Sequence, residues 1–475
     1  MELKMRKVRM EEVEMLEPVS PTGQYFSRSS PPVCITAIFE FDNPIDDSSF
    51  AATMDAVILP TNPRFSSIMV EDENGGKHWK RVKVKVEDHM IVPRFPDGLS
   101  LESYDAYFDD YISGIGMDPF PNTRPLWEIH VIKYPTSNAS GSLVFKIHHA
   151  LGDGYSLMGV VFSCLQRADN PSIPLTFPSF RKLPKPDDDM KSLISLVSQV
   201  LSGVVNTVLD FGMGILHSSL LEDSPTPIRS GEEGVEFLPI DVTTMTFSLD
   251  QIKQIKDTLK VSINDLVSGV IFLGTRLYME STSNESGNAR STSLVLFNTR
   301  SIGGYRSVNE MLHNPEAQNL WGNQFSFLQV PLPKLHGSDG SLDPLKFVYE
   351  AHDIVKRKRN SWAVHLTRML LESIRKYRST EAAAKYIHRT QKNASMGLTN
   401  LVGPIEKLSF CNQPINGLYF MVFNVPQSYK VTVMSYMNQL RVALGTQKGF
   451  IDRLKLRRCI EEAYDLILKA ALNSK

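Results

Sequence analysis

The stretch KIHHALGDGYSL, from Lys146 to Leu157, sets two adjacent histidines, an aspartate and two glycines at the end of an apolar alternating run. The chain has only eleven histidines in 475 residues, so two side by side ask for an explanation. The run SLVFKI from Ser142 is rich in β-formers and reads as a strand, which sends successive side chains to opposite faces. His149 then shares the face of Leu143, Phe145 and Ile147, and His148 that of Val144 and Lys146. The two imidazoles cannot share one environment. Gly152 and Gly154 mark a sharp turn, and YSLMGVVFSCLQR reads as a helix that begins after it.

Three chemistries fit a histidine pair at a strand end. A metal site needs further ligands at suitable spacing, yet there is no HExxH and no paired cysteine, so no metal is expected. A polar turn with supporting histidines is the ordinary reading for any single histidine. A histidine general base, near-neutral in pKa, would remove a proton from an alcohol or an amine, and HHxxxDG in strand-turn-helix context favours it. Asp153, in the turn four residues after His149, is placed to buttress the local fold through a buried ion pair instead of touching substrate.

The elements that position these residues follow from the rest of the chain. At 475 residues it is too long for one core of usual size, so two domains with a crevice between them are expected. Lys plus Arg number 51 and Asp plus Glu 52, which gives no general electrostatic reason to bind nucleic acid. Cys34, Cys164, Cys411 and Cys459 lie far apart and suit a reducing compartment, not a disulfide framework. The charged segment at the start lacks the apolar centre of a signal peptide, so a cytosolic start is expected.

Residues 1–170 mix alternating runs such as CITAIFEF and WKRVKVKV with a helix around Ser100 to Ile115, and form the expected N-terminal domain. Residues 171–239 read as a linker: Pro171, Pro174, Pro178, Pro184 and Pro186 open it, and the polar stretch EDSPTPIRSGEEG closes it. Residues 240–475 resume with helices at LDQIKQIKDTLK and SINDLVSGVIFLGTRLYME and a strand at STSLVLFN, and form the second domain. Inside the linker, residues 191–221 carry Leu193, Val197, Val200, Leu201, Val204, Val208, Phe211 and Ile215 at helical spacing against a Ser-rich polar face. That amphipathic helix either packs on its own domain or lies in a membrane interface, and a true span ranks third.

HHALGDG matches the HHxxxDG signature and so resembles the CoA-dependent acyltransferase superfamily, which includes plant BAHD acyltransferases, chloramphenicol acetyltransferase and the condensation domains of peptide synthetases. PVSPTGQYF, RPLWEIHVI, NDLVSGVI, LFNTRSIGGY, WGNQFSFLQVPLP and LTNLVGP, in that order, are similar to motifs of the wax ester synthase/acyl-CoA:diacylglycerol acyltransferase family in its plant form. The likeness runs from Pro18 to about Ala471. It implies a mixed α/β (α+β) fold of two chloramphenicol-acetyltransferase-like domains, mixed sheets with helices, and a substrate tunnel between them.

By resemblance His149 is the general base, with His148, Asp153 and Gly154 supporting the motif and Arg300 the candidate partner of Asp153. Asn264 and Asp265 would cap and brace the helix that follows. Pro125, Leu126, Trp127, Asn298, Gly322 and Asn323 would shape the tunnel. The DFGWG motif of BAHD enzymes is absent, SYMNQLRVALGTQ occupying the comparable region, which disfavours a BAHD-like acylation of another alcohol or amine. No G-x-S-x-G elbow occurs, so transfer without an acyl-enzyme is implied. Acyl-CoA would be a co-substrate with no further cofactor, and a long-chain alcohol is preferred to diacylglycerol as acceptor. Both acceptors dissolve in membranes, so the implied location is the endoplasmic reticulum surface with the domains facing the cytosol, the plasma membrane being a second candidate. The reading of a different class is a catalytically silent lipid-binding or regulatory protein on the same fold.

Overall fold

Runs rich in β-branched and aromatic residues, buried at every position, make the central strands Cys34–Phe41 and Gly141–His148 of the first large sheet. The structure is a computed structural model and describes residues 17–28, 32–73, 75–175, 207, 210–216, 218–298, 321–337, 340–359 and 362–473. The first large sheet has the order β5 (Met90–Ile91), β6 (Trp127–Ile132), β7 (Gly141–His148), β2 (Cys34–Phe41), β14 (Gln413–Phe423), β13 (Leu408–Phe410) and β8 (Gln166–Arg167). All eight residues of β2 and all eight of β7 are buried, so both faces of the sheet are covered. Helices α2 (Phe50–Thr61), α3 (Leu101–Met117) and α4 (Gly154–Ser163) supply Met54, Phe108 and Val160 to its core.

The alternation of SLVFKI therefore marks a central strand and not a half-exposed one. Lys146 can be buried there because its ammonium donates to Glu128 Oε2 (3.1 Å), its cross-strand neighbour on β6, and to the Asp118 carbonyl (2.9 Å). The run WKRVKVKV departs from its expected reading: β4 (Lys77–Arg81) stops at Arg81, which pairs with Ser67, the first residue of β3 (Ser67–Glu71). Beyond it Val82 N–H still donates to the Ser66 carbonyl (2.9 Å), and residues 83–85 belong to no strand. β1 (Glu17–Pro18) completes this small third sheet.

The second large sheet has the order β11 (Phe325–Pro331), β10 (Thr292–Asn298), β12 (Met396–Val402), β15 (Tyr429–Tyr436), β16 (Gln439–Gln447) and β9 (Ile240–Ser248). β10, β12 and β15 run parallel and the other pairs antiparallel. Against it pack α5 (Leu249–Leu259), α6 (Ile263–Thr282), α7 (Pro344–Arg359) and α10 (Arg453–Asn473), whose Ile255, Ile271, Phe347 and Ile460 are buried in one core. α8 (Ala363–Tyr377) and α9 (Thr380–Lys392) lie between α7 and β12 in the chain, and α9 shares a smaller apolar cluster with Tyr25 and Phe26 of α1 (Pro21–Arg28).

Two findings modify the expected division at residues 170 and 240. Leu408–Phe423, from the second half of the chain, supplies two strands to the first sheet, and the chain returns to the second sheet at Tyr429. Tyr436 of β15 ties the sheets: its hydroxyl donates to the Ile415 carbonyl and accepts from Leu408 N–H. The stretch EDSPTPIRSGEEG, expected as linker, is anchored. Its buried Asp223 accepts from Thr292 N–H (2.6 Å) on β10 and from Ser395 Oγ (2.7 Å) just before β12. Polar composition suggests a linker, but here the carboxylate satisfies backbone amides at the ends of two strands. Of residues 191–221, residues 191–206, 208, 209 and 217 lie outside the described set, as do Pro178, Pro184 and Pro186. No helix among the described residues is long and apolar enough to cross a membrane.

Candidate active site

β7 ends at His148, so the two histidines stand on either side of a strand terminus. His148 N–H donates to the Leu126 carbonyl and its Nδ1 accepts from Ala150 N–H (2.9 Å), closing the turn on itself. His149 has already left the strand: its N–H donates to the Val33 carbonyl and its ring lies 4.1 Å from that of Phe26 and 5.8 Å from that of Phe325, centroid to centroid. Burial, with help from His149 and two lysines, pushes His148 down to about 3, which keeps it neutral and structural at physiological pH.

Asn323 faces His149 with both ends of its amide. Nδ2 donates to the His149 carbonyl (2.9 Å), and Oδ1 lies 3.0 Å from the imidazole Nδ1. Only the amide nitrogen can donate to a carbonyl, so Oδ1 is the atom facing the ring and must receive the Nδ1 proton. That fixes the tautomer with the lone pair on Nε2, which has no hydrogen-bond partner among the described residues. Burial holds the His149 pKa below its ordinary value, while its own carbonyl, Asp153 and Asn323 pull the other way. The imidazole is thus neutral near pH 7 and able to accept a proton.

Asp153 caps α4: its carboxylate accepts from Ser156 N–H (3.1 Å) and from Gln324 N–H (2.9 Å). These are charge-assisted bonds, and they come from amides of both halves of the chain. Arg300, the expected partner, lies outside the described residues. Gly154 opens α4 without a positive φ; its requirement is space, because a Cβ there would stand 3.1 Å from Leu401 of β12.

The segment Trp321–Gln324 clamps this turn residue by residue. Trp321 Nε1 donates to the Leu151 carbonyl (3.0 Å), and Gly322 exchanges 3.2 Å bonds with Ser156 Oγ through both its N–H and its carbonyl. Asn323 holds His149, and Gln324 N–H holds Asp153. Gly322 has φ 101°, a conformation that glycine adopts readily. The motif had marked Gly322 and Asn323 as tunnel-shaping; the structure brings them onto the histidine turn itself.

The other expected residues act at a distance. Trp127 Nε1 donates to the Phe65 carbonyl (2.9 Å) and its ring stacks on His89 at 3.9 Å, so Pro125-Leu126-Trp127 brace the floor beneath His148. Asp265 forms a capping box with Ser262 at the start of α6 and also meets His352 Nδ1 at 2.8 Å, while Asn264 accepts from Asn400 Nδ2. Asn298 ends β10 opposite Phe325 in the register, which puts the ends of both motifs at one edge. Phe26 was not singled out beforehand; its signal lay in PVSPTGQYF, an apolar ring in a short helix.

Beside the imidazole, across Phe325, opens a cleft of about 810 Å³ including its mouth, lined by Thr22, Phe327, Ala363, Leu371 and Ile387 among others. His149 itself is 5% exposed, covered by Phe26. Among the described residues no group of three or more His, Cys, Asp or Glu side chains is assembled that could hold a metal ion.

Residues 103–267 match the wax ester synthase/diacylglycerol acyltransferase catalytic domain, and residues 321–468 the WS/DGAT C-terminal domain. Wax ester synthase/diacylglycerol acyltransferase 4 of Arabidopsis thaliana is 30% identical, over 91% of this chain and 86% of its own length. The solved wax ester synthase/diacylglycerol acyltransferase of Marinobacter aquaeolei VT8 is 16% identical and superposes with a TM-score of 0.58 over 96% of this chain and 99% of that one. The first condensation domain of the calcium-dependent antibiotic synthetase superposes with a TM-score of 0.57 at 12% identity, over 96% of each chain. Those likenesses show the fold, two chloramphenicol-acetyltransferase-like domains, mixed α/β in each. With a catalytic-domain match that contains the His149 turn and a C-terminal match that contains its clamp, the chain belongs to the wax ester synthase/diacylglycerol acyltransferase family and is an acyltransferase.

Proposed function

We propose that this enzyme moves a long-chain acyl group from acyl-CoA to the hydroxyl of a membrane-dissolved acceptor, a long-chain alcohol in preference to diacylglycerol. The carrying observation is the His149–Asn323 pair, which leaves a neutral imidazole with its Nε2 lone pair available. Nε2 takes the hydroxyl proton as the alcohol oxygen bonds to the thioester carbonyl carbon. The C–S bond then breaks, and the imidazolium returns the proton to the departing thiolate, giving ester and free CoA thiol. No acyl-enzyme is formed in this scheme.

Phe26 and Phe325 flank the imidazole and make its surroundings apolar, which disfavours water as a competing acceptor. The adjoining cleft, with its Phe, Leu and Ile lining, suits an alkyl chain. Its acceptors are insoluble, so the enzyme works at a membrane surface, in this reading the cytosolic face of the endoplasmic reticulum. The test is purified protein with palmitoyl-CoA plus either hexadecanol or dioleoylglycerol, following thiol release and ester product. Ester from hexadecanol, with less from dioleoylglycerol, is expected. Folded protein that forms neither product would support a silent lipid-binding protein instead.

A further inference from the structure

Helix α8 has two faces of opposite character. Ala363, Thr367 and Leu371, each four residues from the next, point inward and line the cleft beside the site. Outward stand Trp362 at its N-cap, Met369 and Tyr377, which are 70%, 61% and 77% exposed. Arg368, Arg375, Lys376 and Arg378 are exposed among them. From Lys356 to Arg378 the chain carries eight lysines and arginines against the single acidic Glu372, in a protein whose net charge is -1. The Lys376 ammonium sits 5.3 Å above the Tyr377 ring, so basic and aromatic groups share one surface. Asp210 and Gly214 also line the cleft, and Met213 between them in sequence is 45% exposed.

We infer that the outer face of α8 seats on a bilayer bearing anionic headgroups and that α8 is the lip beneath which the lipid acceptor enters the cleft. A tryptophan, a methionine and a tyrosine spread along one helix, with lysine and arginine between them, suit the headgroup level, where rings enter and cations meet phosphate. A protein partner would favour a contiguous apolar centre depleted of charge, which this face lacks. The entry route rests on the proposed acyl transfer; the seating on a bilayer does not.

The test uses full-length protein and vesicles of phosphatidylcholine with or without phosphatidylserine. Of the four tryptophans, Trp79 and Trp127 are buried and Trp321 is partly buried, so Trp362 dominates any change in emission on binding. With phosphatidylserine present, emission shifts to the blue and is quenched by brominated acyl chains, and Trp362→Phe removes most of that signal. Arg368→Glu/Arg375→Glu/Lys376→Glu lowers partitioning roughly 100-fold, as does high salt in part. Because these side chains are exposed, acyl transfer to a short water-soluble alcohol is unchanged in both variants. Wild-type protein that makes ester but stays off anionic vesicles, or partitioning untouched by the charge reversal, overturns the inference. Protein that binds in the predicted way yet makes no ester upholds this surface and sinks the acyl-transfer reading alone.

Discussion

The candidate site has two sides built on different sheets, and they contribute different things. The His149–Ser156 turn, at the end of β7, holds the imidazole, the aspartate and the start of a helix. The Trp321–Gln324 segment, leading into β11, has no side chain that titrates near neutral pH and gives the turn an indole N–H, a glycine backbone, a side-chain amide and a backbone N–H. In the proposed mechanism one side carries the proton, and the other sets where the proton acceptor points. With chemistry placed on one half and geometry on the other, that mechanism needs both halves.

Breaking that division at its most heavily shared residue has the largest expected effect. Asp153→Ala removes the acceptor for amides from both sides, Ser156 and Gln324, and should cost about 3–5 kcal/mol of stability, measured by denaturant unfolding. Asp153→Asn keeps one acceptor and should lose less. Next comes Asn323→Ala, which frees the imidazole to rotate and to choose its tautomer. Here kcat should fall roughly 10–100-fold with KM little changed, because a positioning bond of about 1.5–3 kcal/mol is lost while the substrate cleft is intact. A matching rise in KM instead would mean that Asn323 binds substrate.

Gly322→Ala sharpens the comparison without removing a polar group. A φ of 101° strains any residue with a Cβ, so about 1–3 kcal/mol of stability should be lost, with the loss falling on the docking of the two sides. The last comparison separates the histidines by pH. In the unfolded chain His148 takes up a proton near 6.5, whereas folding pushes that down to about 3. Between those values the unfolded state binds more protons, so stability falls as pH drops, by about 1.4 kcal/mol per pH unit, and is flat from this source above 6.5. His148→Asn should flatten that acid slope by about one proton, read from unfolding midpoints at successive pH values.

Much of the first side was legible in sequence. Strand, turn and helix around His149 follow from β-formers, glycines and an apolar run, and α3, α5 and α6 fall within a few residues of their expected spans. What sequence patterns miss here is long-range. Asn323 lies 174 residues from His149, and an Asn after a Gly reads as a turn with no hint of its partner. Leu408–Phe423 reads as any other strand pair, and nothing in it says which sheet it joins. Asp223 shows the same limit: in a Ser- and Pro-rich run it looks solvated, and only the strand ends beneath it explain its burial.

The central claim is that His149 Nε2 accepts the acceptor's proton, and thiol release from palmitoyl-CoA in the presence of hexadecanol tests it most directly. His149→Ala should remain folded by circular dichroism and release thiol at least about 10²–10⁴-fold more slowly than wild type. In the wild type, kcat/KM should hold level near pH 7 and decline only below the ordinary histidine range, because burial lowers the His149 pKa. A folded His149→Ala protein that releases thiol and forms ester at the wild-type rate would contradict the account.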